Sequence, residues 1–418
     1  HACLNTTRTT ISPRDRRNAC YHVSAGITWS FAVNMVAPMT VLAVLLRRHQ
    51  ADEWMIGSLL TIQGALMTFP QLIGTRYIRP GRWRKYWLVG IHMGVMMPMF
   101  FVMGAIAYFS NRFSDAFVSW SLLGAFFIYN FAVGITIAVW KDWISHVFTP
   151  SVRGRLMGLY YATNTGTAAA SAAFAGWVLL RFTGDTGYAL LYVTGGAMGL
   201  VSMMLFGMMD DPSALRQTRA KTVNVRRLLV RFRHSLRDRN FRAFLIGRVL
   251  CTLGFSVPPF ITIYYTSKAG GGLSAGQVVL YSAASAVGAA VSNLWLGYVG
   301  DRHGHRIGVI VGVVTQILTL IVVLTLPGTI GCILAFLGIG ICAGAALTSH
   351  YNLIIETCPH EDRAAHITVG DLVMAPATII APLVGGWIAS RYHVALFFQL
   401  SMAIKILALL AHRHPTAG

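Results

Sequence analysis

Twelve runs of about twenty mostly apolar residues follow one another along this chain, each long enough to cross the ~30 Å of hydrocarbon in a bilayer. They fall near 24–46, 53–76, 86–109, 116–140, 155–181 and 187–209, and again near 241–266, 275–298, 305–326, 329–354, 365–390 and 394–412. Lipid offers backbone amides and carbonyls no hydrogen-bond partner, so each run must satisfy its own and is read as a helix. The expected fold is an all-α membrane protein with twelve transmembrane helices. Composition agrees: 55% of the 418 residues are apolar and 11% are charged, against roughly 25% charged in a soluble domain. The run from Ser24 is too long for a cleavable signal, and no small-residue cleavage site follows it.

A net charge of +20 invites a nucleic-acid reading, but its placement argues otherwise. With both chain ends set in the cytoplasm, 26 of the 34 lysines and arginines fall in segments on that side and 6 in the opposite loops. Basic loops stay inside, so this asymmetry predicts a multi-pass protein of a cell inner membrane with both termini cytoplasmic. The stretch from Arg216 to Arg242 suits the anionic lipids of the inner leaflet. It has few of the interleaved aromatics on which bases stack, and no nucleic-acid partner is expected. The six cysteines show no Cys-x-x-Cys spacing and read as apolar fillers. Neither an HExxH string nor a paired carboxylate motif is present, so no metal and no cofactor is expected. A monomer is expected.

The runs divide six and six. This gives an N-terminal cytoplasmic segment (1–23), a six-helix bundle (24–209), a basic cytoplasmic linker (210–240) and a second bundle (241–418). The linker is polar and helix-capable. Its Leu228, Leu229, Val230 and Phe232 suit either a surface-lying amphipathic piece or a plain solvated connector. An internal duplication shows in ordered matches. An offset of 210 superposes Arg153 on Arg363 and Gly176-Trp177 on Gly386-Trp387, while an offset of 223 superposes Gly74 and Gly81 on Gly297 and Gly304. An extra 13 residues in the first half, around the loop after the third helix, reconcile the two.

The loop after the eighth run reads GYVGDRHGHR, from Gly297 to Arg306. With the two-half layout it resembles the cytoplasmic signature of the major facilitator superfamily, matching at Gly297, Asp301, Arg302, Gly304 and Arg306. The resemblance implies two pseudo-symmetric six-helix bundles and a latch in which Asp301 meets the start of the fifth helix near Arg153 and Arg155. An aspartate near a helix N-terminus is favoured by the helix's partial positive charge. The alternative is an ordinary surface turn. The first-half loop keeps Gly74, Arg79 and Gly81 but carries Ile78 where the aspartate would sit, so one latch is expected to be weak or absent. The stretch from Trp140 to Gly158, the run Asn240 to Arg248 with Pro258-Pro259, and Ala381 to Trp387 are similar to a prokaryotic subgroup of the family. Trp140 and Trp143 are expected at the inner headgroup level, where aromatic rings are favoured, and Asp142 beside Arg153 or Arg155.

Polar groups inside lipid are costly and invite a functional question. The residues nearest mid-depth are Asn34, Gln63, Tyr129 and Asn130, with Asn164 somewhat shallower. These five are the substrate-cavity candidates, with plain interhelical hydrogen bonds as the alternative. Asp371 is the one carboxylate clearly inside an apolar run. It is the leading proton-coupling candidate, with His350 and Glu356 on the tenth helix nearby. The competing account makes Asp371 a helix-start residue. Arg248 and Lys405 are expected to snorkel to the inner headgroups. The function that follows is a secondary transporter, moving a small-molecule substrate by alternating access and coupled to protons. A nucleotide-driven pump is excluded because no lysine follows a glycine, so the phosphate-cradling loop is missing. An intramembrane enzyme of the acyltransferase kind, suggested by His366 and Asp371, is weakened because five helical steps put the two ~140° apart. A transporter-like sensor without flux stays open.

Overall fold

A computed structural model of the chain describes residues 12–78, 83–148, 150–211, 239–254, 256–350, 352–353 and 363–413. Twelve long helices run through them. The first six are α1 (Pro13–Arg48), α2 (Glu53–Tyr77), α3 (Arg84–Tyr108), α4 (Asp115–Val147), α5 (Pro150–Arg181) and α6 (Asp185–Gly207). The second six are α7 (Phe241–Thr266), α8 (Ala275–His303), α9 (Arg306–Thr325), α10 (Thr329–Ser349), α11 (Arg363–Arg391) and α12 (Val394–Arg413). By length and hydropathy ten stretches qualify as membrane spans, that of α11 covering Val373–Arg391. Of the other two helices, α5 dilutes its apolar residues with small ones and α12 is apolar over the shorter stretch Val394–Leu410; both pack against neighbouring helices.

Pairings within the two halves correspond one to one. In the first, α1 packs on α5 and α6, α2 on α4, and α3 on α4 and α6; in the second, α7 packs on α11 and α12, α8 on α10, and α9 on α10 and α12. Between the halves, α2 lies on α11 and α8 on α5. The repeat read from the sequence holds at single-residue resolution. Gly176 backs onto Leu280 and lies beside Gly276, while its counterpart Gly386 backs onto Glu53, Trp54 and Gly57. Adding 223 to 53 and 57 gives 276 and 280. Likewise Gly134 abuts the Leu66 carbonyl, and Gly344, 210 residues on, abuts that of Ala289. Glycine is needed at these points because two backbones touch there and leave no room for a Cβ.

One side of the molecule carries the helix ends nearest the termini and most of the arginines; it is called the basic side, and its opposite the far side. On the far side the halves share one core, in which Leu45, Leu46 and Ile56 pack with Phe260, Tyr265 and Phe398. Three described hydrogen bonds cross between halves: Trp54 N to Ser390 Oγ (3.0 Å), Thr262 Oγ1 to the Met39 carbonyl (2.8 Å) and Thr61 Oγ1 to the Ile379 carbonyl (2.7 Å). All lie between mid-depth and the far side. Towards the basic side each half keeps a separate core, one around Trp143, Val147 and Met203, the other around Cys251, Val313 and Ala408. Among the described residues, then, the halves share a core on the far side and none joins them on the basic side.

Helix α1 begins eleven residues before the apolar run. Ser12 accepts from the Asp15 amide (3.0 Å), Pro13 takes the first turn, and residues 13–23 continue into the span rather than forming a separate segment. Asn18 and Asp210 then clasp α1 to the end of α6 through paired bonds of 2.9 and 3.0 Å.

Candidate functional site

Two helices of the first half are interrupted where proline removes a donor. In α1 the Asn34 carbonyl faces Pro38, which has no N–H, and the helix breaks at Val36–Ala37 before resuming through a π-turn, Pro38–Leu42. In α3, Pro98 follows a second π-turn, His92–Met96. Such turns widen a helix and re-aim its side chains, and are frequent at functional sites. Residues of both turns line a cavity of about 420 Å³ enclosed mainly by α1, α3, α4 and α6.

Four of the five expected cavity residues meet there: Asn34, Gln63, Tyr129 and Asn130. Asn34 donates to the Ser30 carbonyl and Asn130 to that of Phe126, each at 2.8 Å and one turn back along its own helix. Asn164 is not among the lining residues. Its backbone carbonyl accepts from Ser30 Oγ (2.8 Å), and its side chain lies over Gly26. The walls are rings and thioethers, including Trp29, Phe100, Phe126, Met96 and Met103, and among the described residues no charged side chain lines the cavity. Phe100 stacks on Tyr129 (4.9 Å) and meets Tyr192 edge-on (6.2 Å).

Sequence reasoning missed His22, His92, Tyr160 and Tyr192, which also line the space. His22 is 2% exposed and lies flat on Tyr160, centroids 4.4 Å apart, where Gly26 leaves room for the tyrosine ring. The Ser-Pro-x-Asp start at residues 12–15 is the signal that would have carried His22 into α1. His92 is fixed by a 2.6 Å bond from Nδ1 to the Leu88 carbonyl.

A second cavity, about 230 Å³, lies in the other half and is lined by Arg248, Cys251, Gln316, Thr378 and Lys405 among others. Lys405 does not snorkel: it is 3% exposed, and Nζ donates to the Cys251 carbonyl at 2.7 Å. The cause lies in α7, which is interrupted between Leu253 and Pro258. Pro258 cannot donate to the Gly254 carbonyl, and Gln316 Nε2 fills that place at 2.9 Å, so α9 and α12 jointly satisfy a broken helix. Residue 371 lies on α11 one turn before Met374, a lining residue. Glu356 and the side chains of Asp371 and His350 lie outside the described residues.

The signature loop is exposed. Asp301 is 82% solvent-accessible with His305 at 3.9 Å, and Arg302 lies over the Tyr298 ring at 4.2 Å. Gly297 lies within α8, six residues before its end at His303, Gly304 caps it with φ 84°, and Arg306 opens α9. The side chains of Arg153 and Arg155 and residues 212–238 are outside the described set. In the first half Ile78 is buried in the apolar cluster around Trp143. Asp142 pairs with the buried Arg84 of α3. One further expectation is corrected. Trp143 is fully buried rather than at the headgroups, its Nε1 donating to Asp211 Oδ2 at 2.9 Å, because Asp211 folds back beneath α4. Trp140 lines the first cavity.

Residues 245–416 match the family model described as Major Facilitator Superfamily. Among solved structures, a single-residue variant of the nucleoside transporter NupG superposes with TM-score 0.72 at 13% identity, covering 94% of this chain and 98% of that one. A bacterial homologue of the iron transporter ferroportin, inward-facing, gives 0.68 at 15% identity, with 95% and 98% covered. An unoccupied, inward-facing bacterial homologue of the human lysosomal transporter Spinster gives 0.66 at 13% identity, with 95% and 96% covered. No curated protein matches the sequence. The chain is thus a multi-pass membrane protein with the major facilitator fold throughout, and its second half carries that family's sequence pattern.

Proposed function

We propose that this chain is a secondary transporter that moves a small solute by alternating access, with both termini in the cytoplasm and the basic side facing inwards. The carrying observation is the asymmetry of the two faces among the described residues: one shared core seals the far side, while on the basic side the described cores of the two halves are separate. A rocking of one bundle against the other about the mid-depth contact of Thr61 with Ile379 would exchange these states. The solved inward-facing homologues of similar fold support the same reading.

The reading extends to particular residues. Asn34, Gln63, Tyr129 and Asn130 contact the solute, with Asn164 supporting them from α5. Asp371, with His350 and Glu356, carries a coupling proton. Asp301 latches onto Arg153 and Arg155 when the basic side closes, and the 82% exposure of its carboxylate suits the unlatched state. The basic linker rests on anionic lipid.

The deciding experiment is a reversible lock. Cysteines at 54 and 390, whose parent residues share a 3.0 Å bond, would tether the far side. Oxidation should stop solute counterflow in vesicles and reduction restore it; counterflow through the oxidised protein would refute alternating access. Asp371→Asn should abolish pH-driven uptake and spare exchange. Intact pH-driven uptake would remove Asp371 from the mechanism.

A further inference from the structure

The cavity in the first half carries two polar atoms that the protein leaves unanswered. Tyr192 is 1% exposed and its hydroxyl has no hydrogen-bond partner among the described residues; the same holds for Nε2 of His22. Both residues line the cavity. A buried hydroxyl without a partner is a standing cost, and such groups call for a ligand or water. Tyr192 lies about seven residues, roughly 10 Å, below the far end of α6, beside the ring stack of Phe100 and Tyr129. Asn34, Gln63 and Asn130 line the same cavity from α1, α2 and α4.

The lining also fixes what the ligand lacks. Among the described residues no Asp, Glu, Lys or Arg borders the cavity. A charged solute would lose its hydration with nothing to replace it, a heavy penalty in so apolar a space. Flat aromatic walls favour a flat partner, which stacks or meets them edge-on. A volume of about 420 Å³ falls within the range of small-molecule sites.

We propose that this cavity is the solute site of the transporter and that it takes an uncharged, ring-bearing solute whose polar group bonds the Tyr192 hydroxyl. This rests on the transport reading but is tested apart from it. Three indoles share a ring and differ in charge: indole-3-acetamide is neutral, indole-3-acetate anionic and tryptamine cationic. Binding to the purified full chain in lipid nanodiscs would be read by intrinsic tryptophan quenching, since Trp29 and Trp140 line the site.

The amide should bind at least tenfold more tightly than either charged analogue. Tyr192→Phe should weaken the amide by about five- to tenfold, the worth of one hydrogen bond. The same change should raise the melting temperature of the ligand-free protein, because an unanswered hydroxyl has gone. A merely structural tyrosine would not move the two readouts in opposite directions. Equal or tighter binding of a charged indole, no binding of the amide to folded protein, or an unchanged amide affinity in Tyr192→Phe would each overturn the proposal. Amide binding without counterflow in vesicles would keep the site and sink the transport reading. Counterflow of a charged indole that the amide does not inhibit would keep transport and sink this substrate class.

Discussion

Gly386 offers a direct test of how the far side is held shut. A Cβ built there would lie 2.7 Å from the Trp54 Cα and 2.8 Å from the Glu53 carbonyl oxygen. Non-bonded carbon pairs settle at about 3.5–4.0 Å, so Gly386→Ala must part α2 and α11 by about 1 Å. Both obstacles are backbone, and no side chain can swing aside. Overpacking of this kind costs about 1–3 kcal/mol. The cost falls on the far-closed state alone, because the two helices separate there when that side opens. The equilibrium should then move towards far-open by about 5- to 150-fold. The assay is labelling of Thr262→Cys, buried where it meets Met39 across the halves near the far side, by a membrane-impermeant maleimide, in a Cys20→Ser background since Cys20 is exposed. Labelling should accelerate by that factor in Gly386→Ala. It should not change in Gly166→Ala, where a new Cβ meets nothing within 4 Å. An unchanged rate in Gly386→Ala would refute the gate, and so would an equal rise at a basic-side cysteine, which would signal general loosening.

Lys405→Met keeps the side-chain volume but leaves the Cys251 carbonyl without its 2.7 Å donor, and should cost about 1–3 kcal/mol, seen as a lower melting temperature in detergent. An unaltered melt would show that bond to be dispensable. Arg84→Met should destabilise by about 1–2 kcal/mol, less than the 3–5 of a fully buried pair, because the Asp142 carboxylate is 54% exposed; no loss in thermal stability would discount the pair. Asp301→Asn should change the transport rate at constant membrane abundance, since the side chain is exposed and nothing in the core depends on it; an unaltered rate would count against the latch. Ile78→Asp should not restore a second latch but cut abundance and melting temperature, because residue 78 is 6% exposed among apolar side chains and a carboxylate there is desolvated. A stable, abundant variant would contradict that.

The helix positions and the repeat were legible because both rest on the strongest signals available to a sequence, a hydrocarbon-length run and a glycine that cannot be replaced. The extra residues of the first half lie where the two offsets put them, spread over the far ends of α3 and α4 and the turn between. Depth was legible too, so four polar residues placed near mid-membrane meet in one cavity. Facing was not. In a soluble helix the contrast between wet and buried sides reports orientation, but here lipid and core are both apolar and that contrast disappears. Tyr192 was therefore passed over and Trp143 read as an interfacial ring, although one borders the cavity and the other is sealed against Phe206. Lys405 was misplaced for a related reason: its partner is a carbonyl 154 residues away, in the last turn of a helical stretch of α7 that ends at Leu253.

The two halves share a scaffold and have diverged in what they place on it. The first encloses an uncharged, ring-lined cavity and buries Ile78, whereas the second borders its smaller cavity with Arg248 and Lys405 and exposes Asp301. If solute binding belongs to the first half and charge-dependent closure to the second, coupling must pass through the mid-depth contact the halves retain while one face is open. Thr61 on α2 and Ile379 on α11 make that contact, and Thr378, next in sequence, lines the second cavity while its methyl lies where a side chain on Gly64 would go. Gln63, between Thr61 and Gly64, lines the first cavity. Two residues on each helix thus join the cavities across the interface, and a change of packing at either reaches the other with no intervening layer.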